Sequence, residues 1–194
     1  MRFIVLFILC VMLAAGCSTQ PALPEGVSAV TPTAIPDYAL TNQAGEEFHL
    51  NSLQGQYVLV SFGYTHCPDI CPINLGRYTQ IKNELGDQAA NMSFVFISVD
   101  PQRDTPERLR DYLVMFDISF IGVYTGDEAT AQQVIGSFGG TFNIRDYAGL
   151  RENYTVDHTA SNFLLGPDGN WIRTYAYGTA TSIISADIAA LMAS

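Results

Sequence analysis

Two cysteines four residues apart, Cys67 and Cys71, form the part of the sequence best suited to chemistry. They follow the apolar run 57–62 and precede a helical pattern, and the carboxyl ends of buried strands are where open α/β sheets place ligand sites. A helix amino terminus lowers the pKa of a nearby thiol, whereas Asp69, between the two cysteines, adds opposing negative charge. The pair can serve as a structural disulfide, a redox couple or part of a soft-metal site.

A third ligand would separate redox chemistry from metal binding. Two thiolates and one imidazole suit soft or borderline ions such as copper or zinc. His49 lies in a strand pattern and is interpreted as a surface or strand-edge residue. His66 adjoins Cys67, where it can tune the thiol pKa, but adjacent residues rarely point at the same ion, so a structural role is favoured for it. His158, at the expected start of a later strand, is the remaining candidate. A hydrogen-bonded structural role stays open for it.

The spacing of apolar residues predicts the elements that position these side chains. Continuous apolar runs predict buried strands over 57–62, 92–99 and 120–124. Short strands over 38–41 and 47–50 flank a turn and predict an amino-terminal hairpin. Apolar residues at three- and four-residue spacing predict amphipathic helices over 72–86, 105–116, 131–138 and 184–192, with Thr105 as the cap of the second.

A second hairpin and the last helix complete the pattern. Residues 158–165 and 171–177 flank the turn 166–169. The order of elements predicts an α/β fold of the thioredoxin-like type, with a mixed central sheet and helices on both faces. That topology returns the chain past the cysteine loop at His158. Residues 139–157 have no clear period and are predicted to be a mobile arm that brings His158 to the sulfurs when metal is present.

Composition limits the class of protein. The chain has 194 residues, 48% hydrophobic and 14% charged, which predicts one domain with a sizeable core. Nine basic against 19 acidic residues give a formal charge of −10, which excludes nucleic acid as a main partner. Four cysteines are too few for a disulfide scaffold.

The amino terminus has the pattern of an exported protein. Met1 and Arg2 precede an apolar run, 3–15, that is typical of a secretion signal and too short to span a bilayer. The run ends in Leu-Ala-Ala-Gly-Cys at 13–17, which resembles the lipobox of bacterial lipoproteins. This resemblance implies that residues 1–16 are a signal peptide, removed together with Cys10, and that Cys17 is lipidated. An uncleaved anchor, or ordinary secretory cleavage that leaves Cys17 free, is the alternative.

The expected mature chain has two parts. Residues 17–36, rich in Pro, Ser, Thr and Ala, are interpreted as a flexible tether. Residues 37–194 form the expected folded domain. It would lie outside the cytoplasm, anchored by lipid to a cell membrane and facing the periplasm or the cell exterior.

Three stretches together resemble the Sco/SenC family of copper-handling, thioredoxin-fold proteins. They are 62–72, 98–106 and 156–160, in the family's order. The resemblance implies a site of Cys67, Cys71 and His158 that binds copper as Cu(I) or Cu(II). It also implies a role in building the dinuclear copper centre of cytochrome c oxidase, with the copper-bearing oxidase subunit as partner and other copper chaperones or thiol reductases as further partners.

The family resemblance leaves two roles for the site. Members deliver copper, reduce the cysteines of the oxidase subunit, or do both, so the chain is interpreted mainly as a metallochaperone whose Cys67 and Cys71 also form a redox pair. Their usual anchor is a transmembrane helix, and the lipobox departs from that pattern.

Rival interpretations use the same thiols. A general thiol–disulfide oxidoreductase without metal is the main alternative, although the thioredoxin type has two residues between its cysteines. Tyr64 stands where a peroxiredoxin has threonine, which disfavours that class. A closed zinc site is disfavoured because three ligands leave an open position.

Four charged residues near the expected site can be explained by structural roles. Asp157 should point away from His158 in an extended strand, so we do not expect it to orient the ring. Asp100, Arg103 and Asp104 follow a strand at the same sheet edge as the cysteines. They form either a salt-bridged turn before the second helix or a partner contact.

Overall fold

Ten strands and four α-helices make up the part of the chain that the structure describes. The structure is a computed structural model that describes residues 22–146 and 154–194. The strands are Val27–Ala34 (β1), Leu40–Asn42 (β2), Glu47–Phe48 (β3), Tyr57–Gly63 (β4), Met92–Ser98 (β5), Ile121–Tyr124 (β6), Phe142–Arg145 (β7), Thr155–His158 (β8), Asn162–Leu165 (β9) and Asn170–Tyr175 (β10). The helices are Ile70–Leu85 (α1), Pro106–Leu113 (α2), Glu128–Ser137 (α3) and Thr181–Met192 (α4).

Eight of these strands form one mixed sheet in the order β1-β10-β9-β4-β5-β6-β2-β3. The central strands β4, β5 and β6 are parallel, and the strands on either side pair antiparallel. Leu59 and Val95, in neighbouring central strands, are fully buried, as a continuous apolar run predicts. α1 packs against α4 and α2 against β6. The mixed α/β architecture and the amino-terminal hairpin of β2 and β3 are therefore confirmed.

The helix boundaries largely follow their sequence signals. The Thr105 hydroxyl accepts a hydrogen bond from the Arg108 N–H, 3.2 Å away, and Pro106 is the first residue of α2, so the predicted cap is confirmed. α2 ends at Leu113, before the expected end at Phe116. α1 begins two residues before Pro72, which lies in its first turn.

The folded domain begins earlier than expected. The interpretation of residues 17–36 as a tether is wrong for 27–34, because β1 pairs antiparallel with β10 at the edge of the sheet. Of the eight residues of β1 only Val27 is buried, so the sequence has no hydrophobic period from which this strand could be predicted. An irregularity between Ala29 and Thr33 accommodates Pro32, which cannot donate to a strand ladder.

The region around His158 also differs from expectation. Residues 142–145 and 155–157 of the expected mobile arm, together with His158, pair as β7 and β8, a separate two-stranded sheet that the sequence pattern did not predict. His158 ends β8 instead of starting a strand, and residues 159–161 separate β8 from β9. Val156 is the one buried residue of β8, and its burial stabilises this small sheet.

Some expectations lie outside the described residues. These are the signal peptide 1–16, the lipidated Cys17 and the part of the expected arm at 147–153. Across residues 22–146 and 154–194, no helix is both long enough and apolar enough to cross a bilayer.

Candidate metal centre

Three elements bring Cys67, Cys71 and His158 together. Cys67 lies in the loop after β4, Cys71 in the first turn of α1, and His158 at the end of β8. Their ligand atoms all lie within 4.8 Å of one another, and His158 Nε2 is 3.5 Å from the Cys71 sulfur. Among the described residues, no other cluster of three or more His, Cys, Asp or Glu side chains could hold one ion. The residues implied by the family resemblance are therefore adjacent in space.

The cysteine loop is shaped by its own backbone. The Cys67 N–H donates to the Tyr64 carbonyl, 3.2 Å away, which turns the chain after β4. The Cys71 N–H then donates to the Cys67 sulfur at 3.4 Å, whereas the Asp69 side chain makes no cap hydrogen bond. The sulfur thus occupies the position of a helix-capping acceptor, where the helix dipole favours negative charge.

Gly63 allows Cys71 to approach the sheet. A β-carbon at this position would lie 2.8 Å from the Cys71 sulfur and 2.6 Å from the Phe96 ring. Any larger residue would push α1 and its sulfur away from β4. The glycine that ends the strand is therefore a packing requirement of the site.

The two thiols have opposite acidities. The hydrogen bond from the Cys71 thiol, with further ones from His158 and from the N–H groups of Asp69 and Cys71, lowers the pKa of Cys67 to about 3 despite its partial burial. The same hydrogen bond and deeper burial raise the pKa of Cys71. Cys67 is thus a thiolate at neutral pH and Cys71 its thiol donor.

The low pKa of Cys67 and the raised pKa of Cys71 predict selective alkylation of Cys67. Because its pKa lies well below 5, its thiolate fraction and its rate with iodoacetamide should change little between pH 5 and 8. A free thiol accelerates about 1,000-fold over that range. Mass spectrometry of the reduced chain should locate the early adduct on Cys67, with buried Cys71 unmodified. A Cys67 rate that rises about tenfold per pH unit up to pH 8 would contradict the assignment.

The His158 ring is oriented by the backbone and by an aromatic neighbour. Nδ1 lies 3.0 Å from the Thr159 carbonyl oxygen, so a proton on Nδ1 donates there and Nε2 is the ring nitrogen that faces the sulfurs. The Tyr64 ring meets the imidazole edge-on, with 6.1 Å between centroids. Asp157 instead pairs with exposed Arg145 at 2.7 Å, which confirms that it does not orient the ring.

The other two histidines lie outside the cluster. His66 Nδ1 lies 3.3 Å from the Thr65 hydroxyl and 3.9 Å from an oxygen of Asp104. His49 lies between the carboxylates of Asp37 and Glu47, each 3.2 Å away, and the hydrogen bond to Glu47 is the main cause of its raised pKa. The structural interpretation of both histidines agrees with these contacts.

The acidic residues after β5 are buried beneath the site. Asp104 accepts hydrogen bonds of 2.6 Å from both Thr65 and Ser98, and burial raises its pKa. Asp100 is fully buried and pairs with Arg103 at 2.6 Å. Burial favours the salt-bridged turn over direct partner contact for both carboxylates.

Sequence reasoning missed two tyrosines that complete this layer. The Tyr64 hydroxyl accepts from the Val156 N–H at 3.3 Å, and the Tyr154 hydroxyl donates to Asp100. Their partners are 92 and 54 residues away along the chain, so no local pattern could have revealed either contact.

The site opens to solvent through a groove. Its volume is about 360 Å³, and its walls are formed by residues 67–70 and 155–158 with Tyr64 at the base. Cys67 is partly exposed in this groove, whereas Cys71 is 2% exposed. An incoming ligand therefore reaches Cys67 and His158, which both line the groove, before Cys71.

Comparison with known proteins gives a consistent result. The SCO1/SenC family model matches residues 28–193. The SCO2-like protein of Rickettsia conorii is 36% identical over 140 residues, which cover 72% of this chain and 67% of that protein. Copper-bound ScoI of Bradyrhizobium japonicum is 34% identical, with a TM-score of 0.72 over 81% of this chain and 98% of that one. BsSco, a member of the Sco family of cytochrome c oxidase assembly proteins, is 21% identical over 82% of this chain and 93% of its own, and its TM-score of 0.65 shows a shared fold alone.

Proposed function

This chain belongs to the SCO1/SenC family, and from that premise we propose that it delivers copper to cytochrome c oxidase during assembly, or reduces the oxidase cysteines that receive it. The Sco/SenC resemblance, the thioredoxin-like fold and copper as the associated metal are confirmed. The observation that carries the proposal is the cluster of two sulfurs and one imidazole nitrogen within 4.8 Å.

The donor set suits copper as cargo. Soft thiolates favour Cu(I), and an imidazole nitrogen extends the set to Cu(II). Metal–ligand bonds of about 2.0–2.3 Å place ligand atoms at most about 4.6 Å apart. The observed cluster can therefore close around one ion with small side-chain movements. Cys67 already carries the negative charge that binding needs, so only Cys71 must lose a proton.

The exposure of the ligands suggests how copper would leave. A ligand of the partner entering the groove reaches Cys67 and His158, which line it, while buried Cys71 keeps its hold on the ion. Stepwise exchange of this kind never leaves the ion without ligands. Partial exposure of Cys67 beside buried Cys71 is the feature that supports this order.

The different acidities of Cys67 and Cys71 favour the other proposed role, reduction of the oxidase cysteines. The Cys67 thiolate can attack a disulfide of the partner, which releases one partner thiolate and forms a mixed disulfide. Cys71, after losing its proton, then attacks Cys67, so that the partner leaves as a dithiol and Cys67–Cys71 becomes the disulfide. Two electrons pass to the partner, and both described cysteines are free thiols at the start.

Anaerobic copper titration tests the copper-binding part of the proposal. The reduced chain from residue 18 onward, which retains β1, should bind one equivalent of copper by metal analysis after gel filtration. The reduced protein should lose this copper when Cys67 and Cys71 are oxidised to a disulfide and regain it with reductant. Equal copper content in the oxidised and reduced forms would contradict a thiolate site.

We further propose that Cys17 carries a lipid anchor, which the lipobox at 13–17 supports. Two or more acyl chains hold a protein on a bilayer far more firmly than one. The acidic chain, with a formal charge of −10, would gain little from anionic lipid headgroups, so the acyl chains would do the anchoring.

Fatty-acid labelling tests the anchor. Cells fed labelled palmitate should incorporate label into the wild-type precursor, and C17S should abolish it because the acceptor sulfur is gone. C10S is the matched control and should keep the label, since Cys10 lies in the expected signal peptide. Label that survives in C17S would end the lipoprotein interpretation.

A further inference from the structure

The strand that carries His158 lies outside the hydrogen-bonded ladders of the main sheet. β8 pairs with β7 in a separate two-stranded sheet, so no ladder of the eight-stranded sheet sets its position. Cys67 and Cys71, by contrast, lie beside central strand β4. The distance from His158 to the sulfurs therefore depends on the three-residue link to β9 and on side-chain contacts between β8 and the layer beneath the site.

Arg103 makes the most extensive of these contacts. Its Nε donates to Asp100 at 2.6 Å, and its Nη1 donates to the Tyr154 carbonyl at 2.9 Å. The guanidinium carbon also lies 3.5 Å from the centroid of the Tyr154 ring and 5.5 Å from that of Tyr64. One planar group thus joins the loop after β5 to the residue that precedes β8.

Two further contacts complete the connection. The Tyr154 hydroxyl donates to Asp100, so the ring and the carbonyl of this residue are both held. Two residues on, the Val156 N–H donates to Tyr64, whose ring packs edge-on against His158. Asp100 is 0%, Tyr154 5% and the Arg103 side chain 16% exposed, so water competes little for these contacts.

We propose that Arg103, held by Asp100 and acting through Tyr154, is a positioning residue that fixes β8 so that His158 stays within reach of both sulfurs. The inference rests on the proposed copper-binding function. Arg103 and Asp100 are not ligands, because neither belongs to the Cys67–Cys71–His158 cluster. Their proposed role is to hold the strand that carries His158. Cu(II) binding, which needs the imidazole, should depend on Arg103 more than Cu(I) binding does.

R103K is the informative variant. Lysine keeps the positive charge near the site, but its single ammonium cannot bond Asp100 and the Tyr154 carbonyl together while stacking on the ring. A role that needs only charge would be rescued by lysine. The matched control is R173K, because Arg173 also lies in a largely buried Arg–Asp–Tyr cluster, with Asp187 at 3.2 Å and Tyr175 bonded to the same carboxylate. That cluster belongs to β10 and α4, which carry none of the three ligands.

Copper binding by the reduced chain from residue 18 is the first measurement. Relative to wild type and R173K, R103K should bind Cu(II) about 10-fold more weakly or worse, with an altered electron paramagnetic resonance spectrum. Its Cu(I) affinity should fall less. Y154F, which keeps the ring and removes the hydroxyl, should change the Cu(II) spectrum in the same direction. Wild-type Cu(II) affinity and spectrum in R103K, whatever its thermal stability, would overturn the proposal.

Nuclear magnetic resonance of the metal-free chain separates this proposal from the proposed function. The edge-on contact at 6.1 Å should give Overhauser effects between the ring protons of Tyr64 and His158 in wild type and R173K, and these should weaken in R103K. If wild type binds no copper, the proposed function fails and this measurement still decides the positioning role. Unchanged Overhauser effects in R103K would refute that role.

Discussion

Replacing Cys67 or Cys71 with alanine should abolish tight copper binding by the reduced chain. Each sulfur is one of three ligand atoms within 4.8 Å, and thiolates carry most of the affinity for a soft ion. The loss should exceed the 10–100-fold that removal of a ligand's outer hydrogen-bond partner typically costs. In an anaerobic titration with competing chelator, both variants should stay metal-free where wild type holds one equivalent.

The two substitutions differ in their structural cost. Cys71 is buried against Gly63, so C71A leaves a small void, whereas C67A removes the sulfur that accepts the Cys71 N–H at the start of α1, and each loss should lower thermal stability. D69N is the matched control in the same loop, because Asp69 is exposed and contributes no ligand. It should bind copper like wild type. Undiminished binding in both C67A and C71A would place the copper site elsewhere.

H158A should lose the Cu(II) spectrum of the wild-type protein while its cysteine pair still oxidises and reduces. The imidazole completes a site that can hold Cu(II), whereas the disulfide needs only Cys67 and Cys71. Cu(I) binding should weaken less, because two thiolates remain. H66A is the matched control, since His66 adjoins Cys67 but lies outside the cluster, and it should keep the Cu(II) spectrum.

The same variant separates copper delivery from thiol reduction in cells. In cells that lack the protein, oxidase activity should be restored by wild type and by H66A, and not by H158A. If H158A restores full activity while both cysteine variants fail, the site acts through its thiols alone. The copper-delivery role would then yield to the thiol-reductase role.

The position of the two cysteines in the fold could be predicted because it depends on local sequence signals. The cysteines follow a buried strand and begin a helix, and those two signals depend only on neighbouring residues. The adjacency of His158 could not be derived in this way. It needed the expected topology, which returns the chain past the cysteine loop, together with the family resemblance, because the ligand lies 87 residues beyond Cys71.

The features that could not be predicted from the sequence are short or exposed strands without a hydrophobic period and contacts between residues far apart in the chain. β1 is an exposed edge strand with one buried residue, so its sequence has the composition of a tether. β7 and β8 stabilise each other across a gap of nine residues, and neither is long enough to show a clear period. The contact of Arg103 with Tyr154 joins residues 51 positions apart, which only the folded chain brings together.

The pairing of β1 with β10 sets how far the copper site can move from a membrane. With Cys17 lipidated as proposed, only residues 17–26 separate the lipid from the sheet, and they reach about 33–36 Å when fully extended, half the reach of a tether over 17–36. A partner centre within that height would meet the site at an effective concentration in the millimolar range, and one much higher above the bilayer would be out of its reach. An edge strand that contacts no ligand thereby decides which oxidase surfaces the anchored protein could serve.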